Sequence, residues 1–119
     1  MKKLFFTLFL GAISLFGFEH LDSENFDKEI KDKNVIIDFY ATWCPPCKIM
    51  GKNLEEFNTT KPDNVSIYKV DVDKNMELAK KYDVRALPTL VFFKNGEPVG
   101  KEVGILDSKQ LLNSTKSHF

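Results

Sequence analysis

NVIIDFYATWCPPCKIMGKNLEEFN (Asn34–Asn58) joins two different patterns in one stretch. Its first part, Asn34 to Ala41, is apolar at nearly every position, which is the pattern of a central strand covered by helices on both faces. Asp38 is the one exception. In its second part Cys47, Met50, Leu54 and Phe57 recur at three- and four-residue spacing, predicting a helix from about Pro46 to Asn58 with one apolar stripe turned to a sheet. The chain's two cysteines, Cys44 and Cys47, stand where strand gives way to helix. A helix N-terminus offers unpaired N–H groups and about half a positive charge, which stabilise a thiolate and lower a cysteine pKa from its usual ~8.5. Cys44 is therefore the expected nucleophile. Cys47, one turn further in, is expected to be more buried and protonated, ready to attack a mixed disulfide formed by Cys44.

Outward from this stretch the chain alternates. Asp22 or Ser23 can cap a short helix carrying Phe26 and Ile30 and ending near Asn34. Lys61-Pro62-Asp63-Asn64 reads as a turn before the β-branched run Val65 to Val72, a second strand, and a helix from about Asn75 to Tyr82 follows. Leu90 to Phe93 and Val99 to Val103 are strand-like and joined through Asn95-Gly96, a pair suited to the positive φ angles of a tight antiparallel hairpin. Asp107 opens D-S-K-Q, a capping-box-like start to a last helix with Leu111 and Leu112. The order α, β, α, β, α, β, β, α predicts an α/β fold with a central mixed sheet flanked by helices on both faces.

Composition bounds the function. Basic and acidic residues number 17 each in the 119-residue chain, so nothing favours nucleic acid. Residues 1–18, MKKLFFTLFLGAISLFGF, differ from the rest: two lysines precede an uncharged run with no acidic residue. That is the pattern of a secretory n-region and h-region, and the run is short of the ~20 residues needed to span a bilayer. The expected organisation is a signal peptide over 1–18 and one domain over 19–119. Cleavage could follow Ser14 or Gly17, both weak matches, so an uncleaved leader serving as an anchor remains the alternative.

A C-x-x-C pair has other uses. Zinc would need two more donors, and the histidines are His20, beside the leader, and His118, near the C-terminus; no metal site is expected. A purely structural bridge would close too small a loop to add much stability. Trp43 is either core or, next to Cys44, a shield for the site and an apolar contact to substrate. Asp38 is costly inside an apolar strand unless hydrogen-bonded or used, and burial should raise its pKa.

DFYATWCPPCK (Asp38–Lys48), KVDVD (Lys69–Asp73), YDVRALPTLVFFKNGE (Tyr82–Glu97) and Gly104 resemble, in order and spacing, successive landmarks of the thioredoxin family. The resemblance covers nearly the whole chain after the leader and implies a thioredoxin-like fold. It implies a protein-disulfide oxidoreductase whose redox centre is the Cys44/Cys47 pair itself, without a bound cofactor; the sequence carries no glycine motif for nucleotide. It makes Pro88 a cis-proline facing the cysteines, Leu87 part of the substrate-binding groove beside it, Asp38 an aid to proton transfer at Cys47, and Lys69 its neighbour. From the residues alone Pro88 could instead be a trans proline opening an edge strand, and Lys69 an exposed strand lysine.

Three positions depart from the commonest family pattern. Pro45-Pro46 stands for Gly-Pro between the cysteines, Tyr40 for a frequent tryptophan, and Lys52 for a helix-kinking proline. The first bears on redox potential. With the leader, the family resemblance leads to an expected periplasmic reductant of disulfides in exported proteins, apocytochrome c among them, recharged by a membrane thiol donor and working as a monomer. The alternatives are a disulfide-forming oxidase or isomerase, and a non-catalytic binding module.

Overall fold

The computed structural model describes residues 17–119; the leader up to residue 16, with any cleavage site or anchor in it, lies outside the described residues. Among the described residues, four helices and four strands follow in the order α1 (Phe26–Ile30), β1 (Asn34–Tyr40), α2 (Pro45–Asn58), β2 (Val65–Asp71), α3 (Met76–Lys81), β3 (Thr89–Lys94), β4 (Glu97–Val103) and α4 (Ser108–His118). The strands form one mixed sheet in the order β2-β1-β3-β4. β1 and β2 are parallel, joined by the α2 crossover, while β3 runs antiparallel to both β1 and β4. This is the expected α/β architecture.

Strand β1 is the centre of the molecule because its residues have apolar neighbours above and below. Val35, Ile37 and Phe39 pack with Phe26, Ile30 and Leu78 on the α1 and α3 side. Ile36 packs with Met50, Leu54, Phe57 and Leu111 on the α2 and α4 side. Asp38 follows Ile36 on that same face, since side chains alternate along a strand.

Local chemistry sets the element ends. Asn95 and Gly96 have φ of 53° and 83° and close the β3–β4 hairpin as a two-residue turn with both central residues at positive φ. The Asp107 carboxylate accepts from the Gln110 N–H at 2.8 Å while the Gln110 side chain accepts from the Asp107 N–H at 2.9 Å, a complete capping box on α4.

The N-terminal part of the described residues departs from the sequence pattern. Helix α1 stops at Ile30 rather than near Asn34, because Lys31 is extended and Asp32 takes φ 59° to turn the chain into β1. The segment Glu19–Leu21 lies along the outer edge of β2: the Lys69 N–H donates to the Glu19 carbonyl at 3.0 Å and the Leu21 N–H to the Lys69 carbonyl at 2.9 Å. Phe18, assigned to the leader by sequence, is half-buried against the α2-side core.

Candidate active site

Strand β1 ends at Tyr40, and Ala41 to Trp43 carry the chain to Cys44, which is the extended N-cap residue of α2. Pro45 and Pro46 occupy the first helical positions, where a missing N–H costs little and a fixed φ helps the helix start. The sulfurs of Cys44 and Cys47 are bonded, so the structure is the oxidised form. The Cys47 N–H donates to Cys44 Sγ at 3.2 Å. With two prolines before it, this is the first backbone N–H of the helix able to do so. In this oxidised state the two cysteines are nearly equally buried, 4% exposed for Cys44 and 2% for Cys47, so the expected contrast in exposure is small here.

On β1, Asp38 is fully buried and neither carboxylate oxygen has a hydrogen-bond partner in the protein. Its cross-strand neighbour in β2 is Lys69, whose Nζ lies 3.7 Å from Oδ2. That separation makes an ion pair but is too long for a hydrogen bond. Loss of hydration raises the Asp38 pKa from 3.8 to about 6, the larger effect, against the opposing pull of Lys69. Lys69 and Cys47 line one cleft of about 290 Å³ with Tyr40, Ala41, Thr42 and Lys48, which places the Asp38 ion pair next to the second cysteine.

On the outer side, Trp43 is 67% exposed and donates its indole N–H to Asp73 at 2.8 Å; it is not core. The Leu87–Pro88 peptide is cis, and the Pro88 carbonyl accepts from the Gly104 N–H at 2.9 Å. Gly104 has φ 99°, a conformation that favours glycine. Leu87 packs on the cluster of Ala41, Cys44 and Cys47, and on its other flank a groove of about 280 Å³ runs past Asp73, Met76, Val84 and Arg85. The fold thus gathers Asp38, Cys44, Cys47, Lys69 and Leu87 at the C-terminal end of β1 and the start of α2, with Trp43 at their outer edge.

Sequence reasoning missed His20 and Tyr40 as members of this neighbourhood. His20 Nε2 lies 2.8 Å from the Tyr40 hydroxyl, and the Lys69 ammonium is 4.4 Å from the Tyr40 ring centroid. The only signal in the sequence was Tyr40 standing where tryptophan is frequent. Among the described residues, no group of three or more His, Cys, Asp and Glu could hold a metal ion.

The thioredoxin family's sequence profile matches residues 17–117. The chain belongs to the thioredoxin family. It is 42% identical over 95 residues to a thioredoxin of Staphylococcus saprophyticus, covering 80% of this chain and 91% of that one. It is 44% identical over 81 residues to chloroplastic thioredoxin Y1 of Arabidopsis thaliana, covering 68% of this chain and 47% of the plant protein. Among solved structures, chloroplastic thioredoxin z aligns with a TM-score of 0.75 at 29% identity, over 86% of this chain and 94% of that one. A variant thioredoxin from Halobacterium salinarum aligns with the same score at 34% identity, over 85% and 88%. With the C-x-x-C pair at the head of α2, this thioredoxin-family chain is a thiol-disulfide oxidoreductase.

Proposed function

We propose that this chain is a reductant of protein disulfides outside the cytoplasm, acting as a monomer on exported proteins. The observation that carries the catalytic part is the Cys44 sulfur at the head of α2, held by the Cys47 N–H, with buried Asp38 paired to Lys69, which shares a cleft with Cys47. The export part rests on residues 1–18.

In the reduced protein the Cys44 thiolate attacks a substrate disulfide; one substrate sulfur leaves as a thiolate and the other becomes bonded to Cys44. The Cys47 thiol then gives its proton to the Asp38 carboxylate, directly or through one water, and its sulfur attacks Cys44 Sγ. The mixed disulfide breaks, the second substrate thiolate departs, and the Cys44–Cys47 bond forms. Two electrons pass to the substrate. Asp38 suits this role because burial holds its pKa near 6, closer to a thiol than an ordinary carboxylate. Lys69 keeps the carboxylate from staying protonated throughout.

Substrate would bind in the groove beside Leu87 and Pro88, adding a strand to that edge, with Trp43 as an apolar contact. The exposed Trp43, Met76 and Arg85 around the groove support this reading. Regeneration requires a dithiol donor of lower potential, and a membrane thiol protein matches the proposed location. Apocytochrome c is a candidate substrate.

A Cys47→Ser variant of the full chain tests the proposal by trapping mixed disulfides on Cys44 in cells. Trapped partners carrying their own export signals, recovered from the extracytoplasmic fraction, are the expected result. Partners confined to the cytoplasm would refute the location, and no trapped partner at all would refute the reductase reading.

A further inference from the structure

Residues Glu19–Leu21 pair with β2 around Lys69. Along an extended segment side chains alternate, so Leu21 enters the core on the α1 side while His20 faces the α2 side beside Lys69. There the His20 imidazole meets the Tyr40 ring edge-on, centroids 5.7 Å apart, with Nε2 at 2.8 Å from the hydroxyl. Tyr40 in turn carries the Lys69 ammonium over its ring at 4.4 Å, and that ammonium is 3.7 Å from Asp38 Oδ2. A lysine side chain has several rotatable bonds and no hydrogen bond to Asp38 to fix it. The aromatic ring attracts the ammonium and favours its resting place beside the carboxylate.

From this geometry we infer that His20 is a positioning residue for the redox cycle. By holding the Tyr40 hydroxyl it fixes the ring against Lys69, and so fixes the Lys69–Asp38 separation that governs how readily the carboxylate takes the Cys47 proton. The inference rests on Asp38 being the proton acceptor. His20 touches neither substrate nor sulfur; it acts through Tyr40 and Lys69. A histidine that only pinned the N-terminal segment to the sheet would affect thermal stability and leave the chemistry of Cys47 alone.

The two cysteines can be observed separately. When the reduced full chain meets an aryl disulfide such as dithiobis-nitrobenzoate, the first aryl thiolate released reports attack by Cys44 and the second reports resolution by Cys47. Asp22, Asp71 and Lys74 share the cleft beside His20, Glu19 precedes it, and Lys48 shares the cleft beside Lys69. Profiles are therefore taken at constant ionic strength from about pH 5 to 9. His20→Ala and Tyr40→Phe are expected to slow the second phase about fivefold, the worth of one net hydrogen bond, and to move its pH midpoint, with the first phase unchanged. His20→Gln, which keeps a polar group near Nε2, should restore most of the rate. In an Asp38→Asn background His20→Ala should add nothing, since both act on one step. The inference is overturned if both single variants stay within about twofold of the parent with the same midpoint while Asp38→Asn slows the second phase. If Asp38→Asn itself leaves that phase unchanged, the proton-acceptor reading falls, and the inference with it.

Discussion

Asp38 shows what the fold does to one residue. Burial lifts its pKa from 3.8 to about 6 although Lys69 opposes the shift. The folded protein therefore holds that proton more tightly than the unfolded chain. Stability from this group is fully present below the unfolded pKa and is lost as pH rises through about 6. Asp38→Asn should be more stable than the parent by up to about 3 kcal/mol above that pH, with the gap closing on acidification, as urea titrations across pH would measure. The same substitution should slow resolution by Cys47. Pro45 acts on the other sulfur: it leaves the Cys47 N–H as the bond to Cys44 Sγ. Pro45→Gly supplies another donor, so the Cys44 thiol should become more acidic and the dithiol more stable, raising the potential by about 20 mV for one net hydrogen bond. Equilibration against glutathione would measure it, and an unchanged potential would refute the account. Both residues were legible in the sequence because each breaks a local rule, a charge in an apolar strand and a proline between reactive cysteines. His20 and Tyr40 break no such rule, and 20 positions separate them.

At the scale of elements, strong local codes gave accurate boundaries and weak ones did not. Helix α2 starts where Pro45 and Pro46 allow it and continues through one apolar stripe. Helix α4 starts at the Asp107 capping box. Removing that cap by Asp107→Ala should cost about 1 kcal/mol, because the Gln110 N–H loses its acceptor, and thermal melts of the two proteins would show it. The redox rate should not change, since no residue of α4 belongs to the apolar cluster around the cysteines. Helix α1 was overextended in the sequence reading because its end depends on Asp32 adopting a left-handed backbone, which aspartate only sometimes does. The Glu19–Leu21 edge pairing left no trace in the pattern, being too short for a period-two signal to emerge.

The described residues form one sheet with an apolar core on each face. Phe92 on β3 is fully buried between the α2-side residues and the C-terminal His118 and Phe119, with ring centroids at 4.6 Å and 5.7 Å. Phe92→Ala should remove about 3 to 5 kcal/mol by opening a cavity that α2 and α4 cannot both close. Calorimetry should register a fall in Tm of more than about 10 °C. The sequence by itself determined the alternation of strands and helices, the mixed sheet and the reactive pair at the head of α2. These follow from hydrophobic period, turn residues and caps, all of which act between near neighbours along the chain. Only the tertiary structure decided that Trp43 faces solvent, that Lys69 rests 3.7 Å from Asp38, and that His20 reaches Tyr40 across the edge of β2. Those distances arise from strand register and from which sheet edge the N-terminal segment takes, and both are set by the packing of segments far apart in the chain.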